Sequence, residues 1–120
     1  MSWDIFIQDL PNVPSLKDAP VDFKPKSIGL LNDLRSRIQE AVPFADQQDA
    51  DWLFLNSTEI DISIQFHMED TEHVRYIVAH VHGGSQSALC IAAILQHLGL
   101  RAMDTATGDF FDGAALDESL

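Results

Sequence analysis

The sequence predicts an α+β fold: a two-layer sandwich in which two helices lie on one face of a mainly antiparallel sheet, in the order β-α-β-β-β-α-β. Three observations carry this. Ile60, Ile62, Ile64, Phe66 and Met68 alternate with Asp61, Ser63, Gln65 and His67, the period-two pattern of a strand with one buried and one wet face. Ile28, Leu31, Leu34, Ile38 and Val42 recur at helical spacing and form one apolar stripe. Ala88 to Leu98 is apolar nearly all round, so this second helix is buried on more than one side. A chain of 120 residues fits a single domain spanning 1–120 and can bury enough surface to fold without a disulfide or a metal.

The elements follow in order. Trp3 to Leu10 reads as the first strand, with Trp3, Ile5 and Ile7 on one face and Asp4, Phe6 and Gln8 on the other,. Pro11, Pro14, Pro20 and Pro25 exclude regular structure from residues 11–26, a surface loop that Leu16, Val21 and Phe23 are expected to pin. Ser27 caps the first helix and Pro43 stops it,. Trp52 to Leu55 is a short apolar run and reads as a buried strand. The polar turn at Glu69–Glu72 joins the Ile60–Met68 strand to a return strand from His73 to His82. A hairpin centred on Asp70–Thr71 places Ile62 opposite Ala79, Ile64 opposite Ile77, Asp61 opposite His80 and Glu59 opposite His82. Gly83–Gly84 ends that strand, Ser85 or Ser87 caps the second helix, and Gly99 suits its left-handed C-cap,. Leu100 to Asp104 is the last core strand, Phe110 and Phe111 tack the end down, and residues 113–120 are expected to fray,.

Charge narrows the classes of partner. The net charge is −12, and from Asp46 to Glu72 there are eight acids with no Lys or Arg. Such a field repels phosphate backbones and anionic lipid, so neither nucleic acid nor membrane is expected as a partner. A basic protein would be attracted. The N-terminus lacks a basic segment ahead of an apolar one, and the longest apolar stretch, Ala88 to Leu95, is too short to span a bilayer. A single cysteine, Cys90, implies no oxidising compartment. The expected location is the cytoplasm.

Two groups of residues on the polar sheet face are candidates for a site. His80 and His82, at i and i+2, leave their strand on one face. With Asp61 and Glu59 opposite, they would offer mixed nitrogen and oxygen ligands to a first-row metal, in a metal-binding protein or a metal-dependent hydrolase. The plainer account of the same residues is a set of cross-strand acid–imidazole pairs. Tyr76, Val74 and Val78, with Gln65 and His67, form an apolar strip rimmed by polar groups, which suits a protein partner or a second copy of the chain. His82-Gly83-Gly84-Ser85 ahead of a helix resembles an anion-binding or oxyanion turn, but no Gly-x-Ser-x-Gly elbow accompanies it, and a strand-to-helix turn explains it. Cys90 lies among Ala, Ile and Leu in an acidic protein, a setting that suits a buried, inert thiol. No Gly-x-Gly-x-x-Gly, P-loop, Cys-x-x-Cys or His-Glu-x-x-His occurs, so no cofactor is expected.

The opening MSWDIFIQDLP and the closing LGLRAMD with TGDFFD resemble a group of small bacterial proteins to which no activity is assigned. The resemblance spans nearly the whole chain and implies no catalytic residue or cofactor. The function expected from the residues is a non-catalytic, acidic protein-binding module.

Overall fold

The computed structural model describes residues 2–49 and 51–120. Strands β1 (Trp3–Gln8), β2 (Gly29–Leu30), β3 (Asp46–Asp49), β4 (Trp52–Asn56), β5 (Asp61–Met68), β6 (His73–Gly83), β7 (Arg101–Asp104) and β8 (Phe110–Asp112) form one sheet. Its order is β3-β4-β5-β6-β1-β7-β8, with β2 paired beside the start of β6, and every pairing is antiparallel. Helices α1 (Leu31–Ala41), α2 (Ser87–Leu98) and α3 (Gly113–Glu118) complete the chain. The α+β class and the mainly antiparallel sheet are as the sequence predicts.

The core is one cluster between sheet and helices. Ile5 and Ile7 of β1, Leu53 and Leu55 of β4, Ile62, Ile64 and Phe66 of β5, and Ile77, Ala79 and Val81 of β6 meet Leu34 and Ile38 of α1 and Ile91, Ile94, Leu95 and Leu98 of α2. Burying each such side chain contributes roughly 1.5–3 kcal/mol, which is why the alternating isoleucines fix which face of β5 turns inward. Among the described residues no helix is long and apolar enough to cross a membrane.

Several local expectations are corrected. The first helix begins at Leu31, not after Ser27, and its N-cap, Leu30, supplies no side-chain bond. Residues 28–30 instead join the sheet: Ile28 N–H donates to Val74 O at 2.9 Å, and Gly29 and Leu30 pair with Val74 and His73. The run at Trp52 is not wholly buried, because Leu53 and Leu55 point inward while Trp52 and Phe54 are half-buried on the other face. Residues 11–26 contain one 3₁₀ turn, Leu16–Asp18. Leu16 and Val21 do not pin the segment, for both are exposed. Backbone bonds hold it to the β8 edge instead: Phe110 N–H to Pro14 O at 2.9 Å and Leu16 N–H to Gly108 O at 2.8 Å. The Arg101 guanidinium adds bonds to the carbonyls of Leu10, Pro11 and Val13. Residues 113–118 do not fray. They form α3, whose first turn is capped by Asp112 accepting from Ala115 N–H at 2.7 Å.

The β5–β6 hairpin is two residues out of the expected register. Ile62 faces Val81, Ile64 faces Ala79, and Ser63 faces His80. One residue of the shift comes from the turn, where Met68 pairs with Val74 and leaves five residues between them. Asp70 organises that turn. Its carboxylate accepts the backbone N–H of Glu72 at 2.8 Å and of His73 at 2.7 Å, and these bonds, His73's foremost, hold its pKa below the usual carboxylate value,. The second residue is a bulge between His67 and Met68 on β5 and Tyr76 and Val74 on β6, which leaves Arg75 unopposed,. The bulge turns Val74 inward, so that it is fully buried in the core and not on the open face.

Candidate functional site

Helices cover one face of the sheet and the other is open. Because side chains alternate along a strand, the open face receives Asp4 and Phe6 from β1, Trp52 and Phe54 from β4, Ser63, Gln65 and His67 from β5, and Tyr76, Val78, His80 and His82 from β6. A concavity of about 1060 Å³ lies on this face, lined at its centre by Trp52, Phe54, Ser63, His80 and His82, and at its rim by Phe44, Asp46 and Asp49. It exists because of one small residue. Phe54 pairs with Ser63 and Ser63 with His80, so a short hydroxymethyl group separates two rings in one cross-strand row.

Trp52 closes the row from the side. Its ring lies 5.8 Å from Phe54 at 9° and 6.1 Å from His80 at 23°. His82 stands 6.4 Å from His80 at 19°, and its Nε2 is 3.0 Å from Ser63 Oγ. His80 Nδ1 is 3.0 Å from Asp4 Oδ1, both groups being about one-third exposed. A second stack begins one row away: Tyr76 lies 4.5 Å from His67 and 5.4 Å from Phe6.

The four residues expected to hold a metal are not brought together. The register shift sets Ser63 opposite His80, and a further irregularity between Asp61 and Ile62 sets Asp61 opposite Gly83. Glu59 stays in the exposed loop before β5, where its carbonyl accepts Gln86 N–H at 2.9 Å. His80 finds its acid on β1, and among the described residues no group of three or more His, Cys, Asp or Glu is placed to share an ion. Of the residues expected on a partner surface, Tyr76, His67 and Gln65 are on the open face and half-buried, Val78 is on it but buried, and Val74 has turned into the core.

The chemistry available is limited. A hydroxyl meets one imidazole (Ser63 and His82), and a carboxylate meets the other (Asp4 and His80). A nucleophile–base–acid relay needs both on one imidazole, and here they are divided. Ser85 and Ser87 do not cap α2. Its N-cap is Gln86, and the buried Ser87 hydroxyl donates to Gly83 O while accepting Asp61 N–H at 3.1 Å. The turn ties β5 and β6 to the helix. Cys90 is buried on α2, and desolvation pushes its thiol up to about 11.

Sequence reasoning overlooked Trp52, Phe54, Asp4 and Ser63. For the first two the signal was present in Trp52-Leu53-Phe54-Leu55, where aromatic and aliphatic residues alternate and therefore face opposite ways. Asp4 and Ser63 matter only through pairings across the sheet. Comparison of the chain with protein-family models, curated proteins and solved structures finds no match.

Proposed function

We propose that this chain is a non-catalytic protein-binding module whose open sheet face receives a basic partner. The observation that supports this reading is the cleft over Ser63, which is walled by aromatic rings, rimmed by Asp46 and Asp49, and free of Lys and Arg among its lining residues. Buried aromatic anchors within a polar rim are what the energetic centres of interfaces share. A net charge of −12 draws a cationic partner and speeds its encounter. The same charge disfavours a second copy of the chain, nucleic acid and anionic lipid. The divided contacts of Ser63 and Asp4 with two different imidazoles favour binding over turnover.

An amide-resolved NMR titration with a Lys/Arg-rich peptide tests the reading, with a Glu-rich peptide of equal length as control. Shifts are expected to concentrate on residues 52–56, 61–67 and 76–82, to weaken with added salt, and to be absent for the acidic peptide. Shifts scattered over every acidic surface, confined to the helical layer, or missing altogether would refute it.

A further inference from the structure

We infer that the cleft over Ser63 is a cage for a single cationic group, an alkylated ammonium or a guanidinium carried on a partner's side chain. This rests on the protein-binding reading above and names what anchors the partner.

One cross-strand row carries the argument. Asp46 pairs with Phe54, Phe54 with Ser63, Ser63 with His80, and His80 with Asp4. Across five strands the open face therefore reads acid, ring, small residue, ring, acid. With strands spaced about 4.8 Å apart, the backbones under Phe54 and His80 stand roughly 10 Å from each other, with only Ser63 between them. Trp52 bounds this gap on one side and His82 on the other, since each lies diagonal to Ser63, and His82 touches its hydroxyl. Phe44 forms the outer wall, just ahead of β3.

The occupant follows from the charge of these walls. The face of an aromatic ring is the negative end of its quadrupole and attracts a cation, with indole the strongest. An anion would meet Asp46, Asp49 and Asp4. A neutral apolar group would gain from the rings but nothing from the acidic charge around them. A cation is stabilised by both. The imidazole beside Trp52 does not oppose it, because His80 is paired with Asp4, and the sum of that pair is zero or negative in either protonation state. The open top of the cleft suits a side chain entering end-on from a bound polypeptide.

The test uses the two tryptophans. Trp3 packs on Phe111 at 5.9 Å and donates to Asp104 at 3.1 Å, on the face away from the cleft. Trp3→Phe leaves Trp52 as the sole indole fluorophore. Choline is titrated against its neutral isostere, 3,3-dimethylbutan-1-ol, with Trp52 emission as the readout. Choline should change the emission saturably, with the isostere at least about 10-fold weaker, and Ser63→Leu, which fills the floor from a wet face, should remove the response. Equal binding of the two probes, no saturable change, or a response untouched by Ser63→Leu overturns the cage. If Ser63→Leu does not fold, the comparison of the two probes decides alone. Should choline give no response while the basic peptide still shifts the open face, the cage falls and the protein-binding reading stands. If the peptide fails as well, both fall.

Discussion

Burial pushes the Cys90 thiol up to about 11, because a thiolate among Ala, Ile and Leu side chains loses its hydration. The consequence has a sign. Between about pH 9 and pH 11 the folded chain keeps a proton that the unfolded chain releases, so this part of the stability is fully present below about pH 9 and is lost as pH rises to about 11,. Urea unfolding of wild type and Cys90→Ala at pH 8 and pH 10.5 checks it: the wild type should lose more stability over that interval than the variant. The burial of this residue is legible in the apolar run around it, because helical spacing alone brings Ile91, Ile94 and Leu98 into the same buried layer. Ser63 is the opposite case. Nothing in its immediate sequence marks it, and its importance comes from Phe54 and His80, which reach its flanks only through two strand pairings.

At the scale of elements, the β6–α2 junction depends on one backbone conformation. Gly84 has φ +89°, and a Cβ there would stand 2.5 Å from Glu59 O and 2.8 Å from Ser87 Oγ. Gly84→Ala is therefore expected to cost roughly 1–3 kcal/mol. Gly83→Ala, with nothing within 4 Å of its would-be Cβ, should cost far less, and denaturant titration of the two variants separates them. The double glycine is visible in the sequence as a turn, but which glycine is indispensable depends on the Glu59 loop packing against it. The β5–β6 hairpin makes the same point. Alternation identifies both strands and their faces, yet the five-residue turn held by Asp70 and the bulge at Arg75 set the register. Beyond the bulge a shift of two residues preserves every face, so the inward isoleucines are unaffected while every cross-strand partner on the open side changes; only Val74, on the turn side of the bulge, changes face. The terminal helix was missed because its packing on α2 is long-range: Gly113 is buried against Ala92 O and Gln96.

For the whole molecule, charge and core act in opposite directions. The core holds the helices to the sheet through apolar contact, whereas 19 acids against seven Lys and Arg repel one another once the chain is compact. Salt screens that repulsion. Raising NaCl from about 0.02 M to about 0.5 M is expected to raise Tm, with each 1 kcal/mol of relief moving it by roughly 4 °C, and a calorimetric salt series measures it. The same salt should weaken the basic peptide on the open face, so stability and binding would move in opposite directions with ionic strength.

Composition and periodicity by themselves determined the α+β class, the antiparallel β5–β6 pair, the two long helices and the inward side of each, because burial of apolar surface is dictated by spacing along the chain. They also determined the acidic field, which depends on residue counts. Only the tertiary structure decided which residues share the open face's cleft. Asp46, Phe54, Ser63, His80 and Asp4 come from five strands, and their order is set by β1 entering the middle of the sheet beside β6, by the turn and by the bulge. Those features follow from how the sheet closes around its core and not from any local pattern, and so the histidines were visible in the sequence while their partners were not.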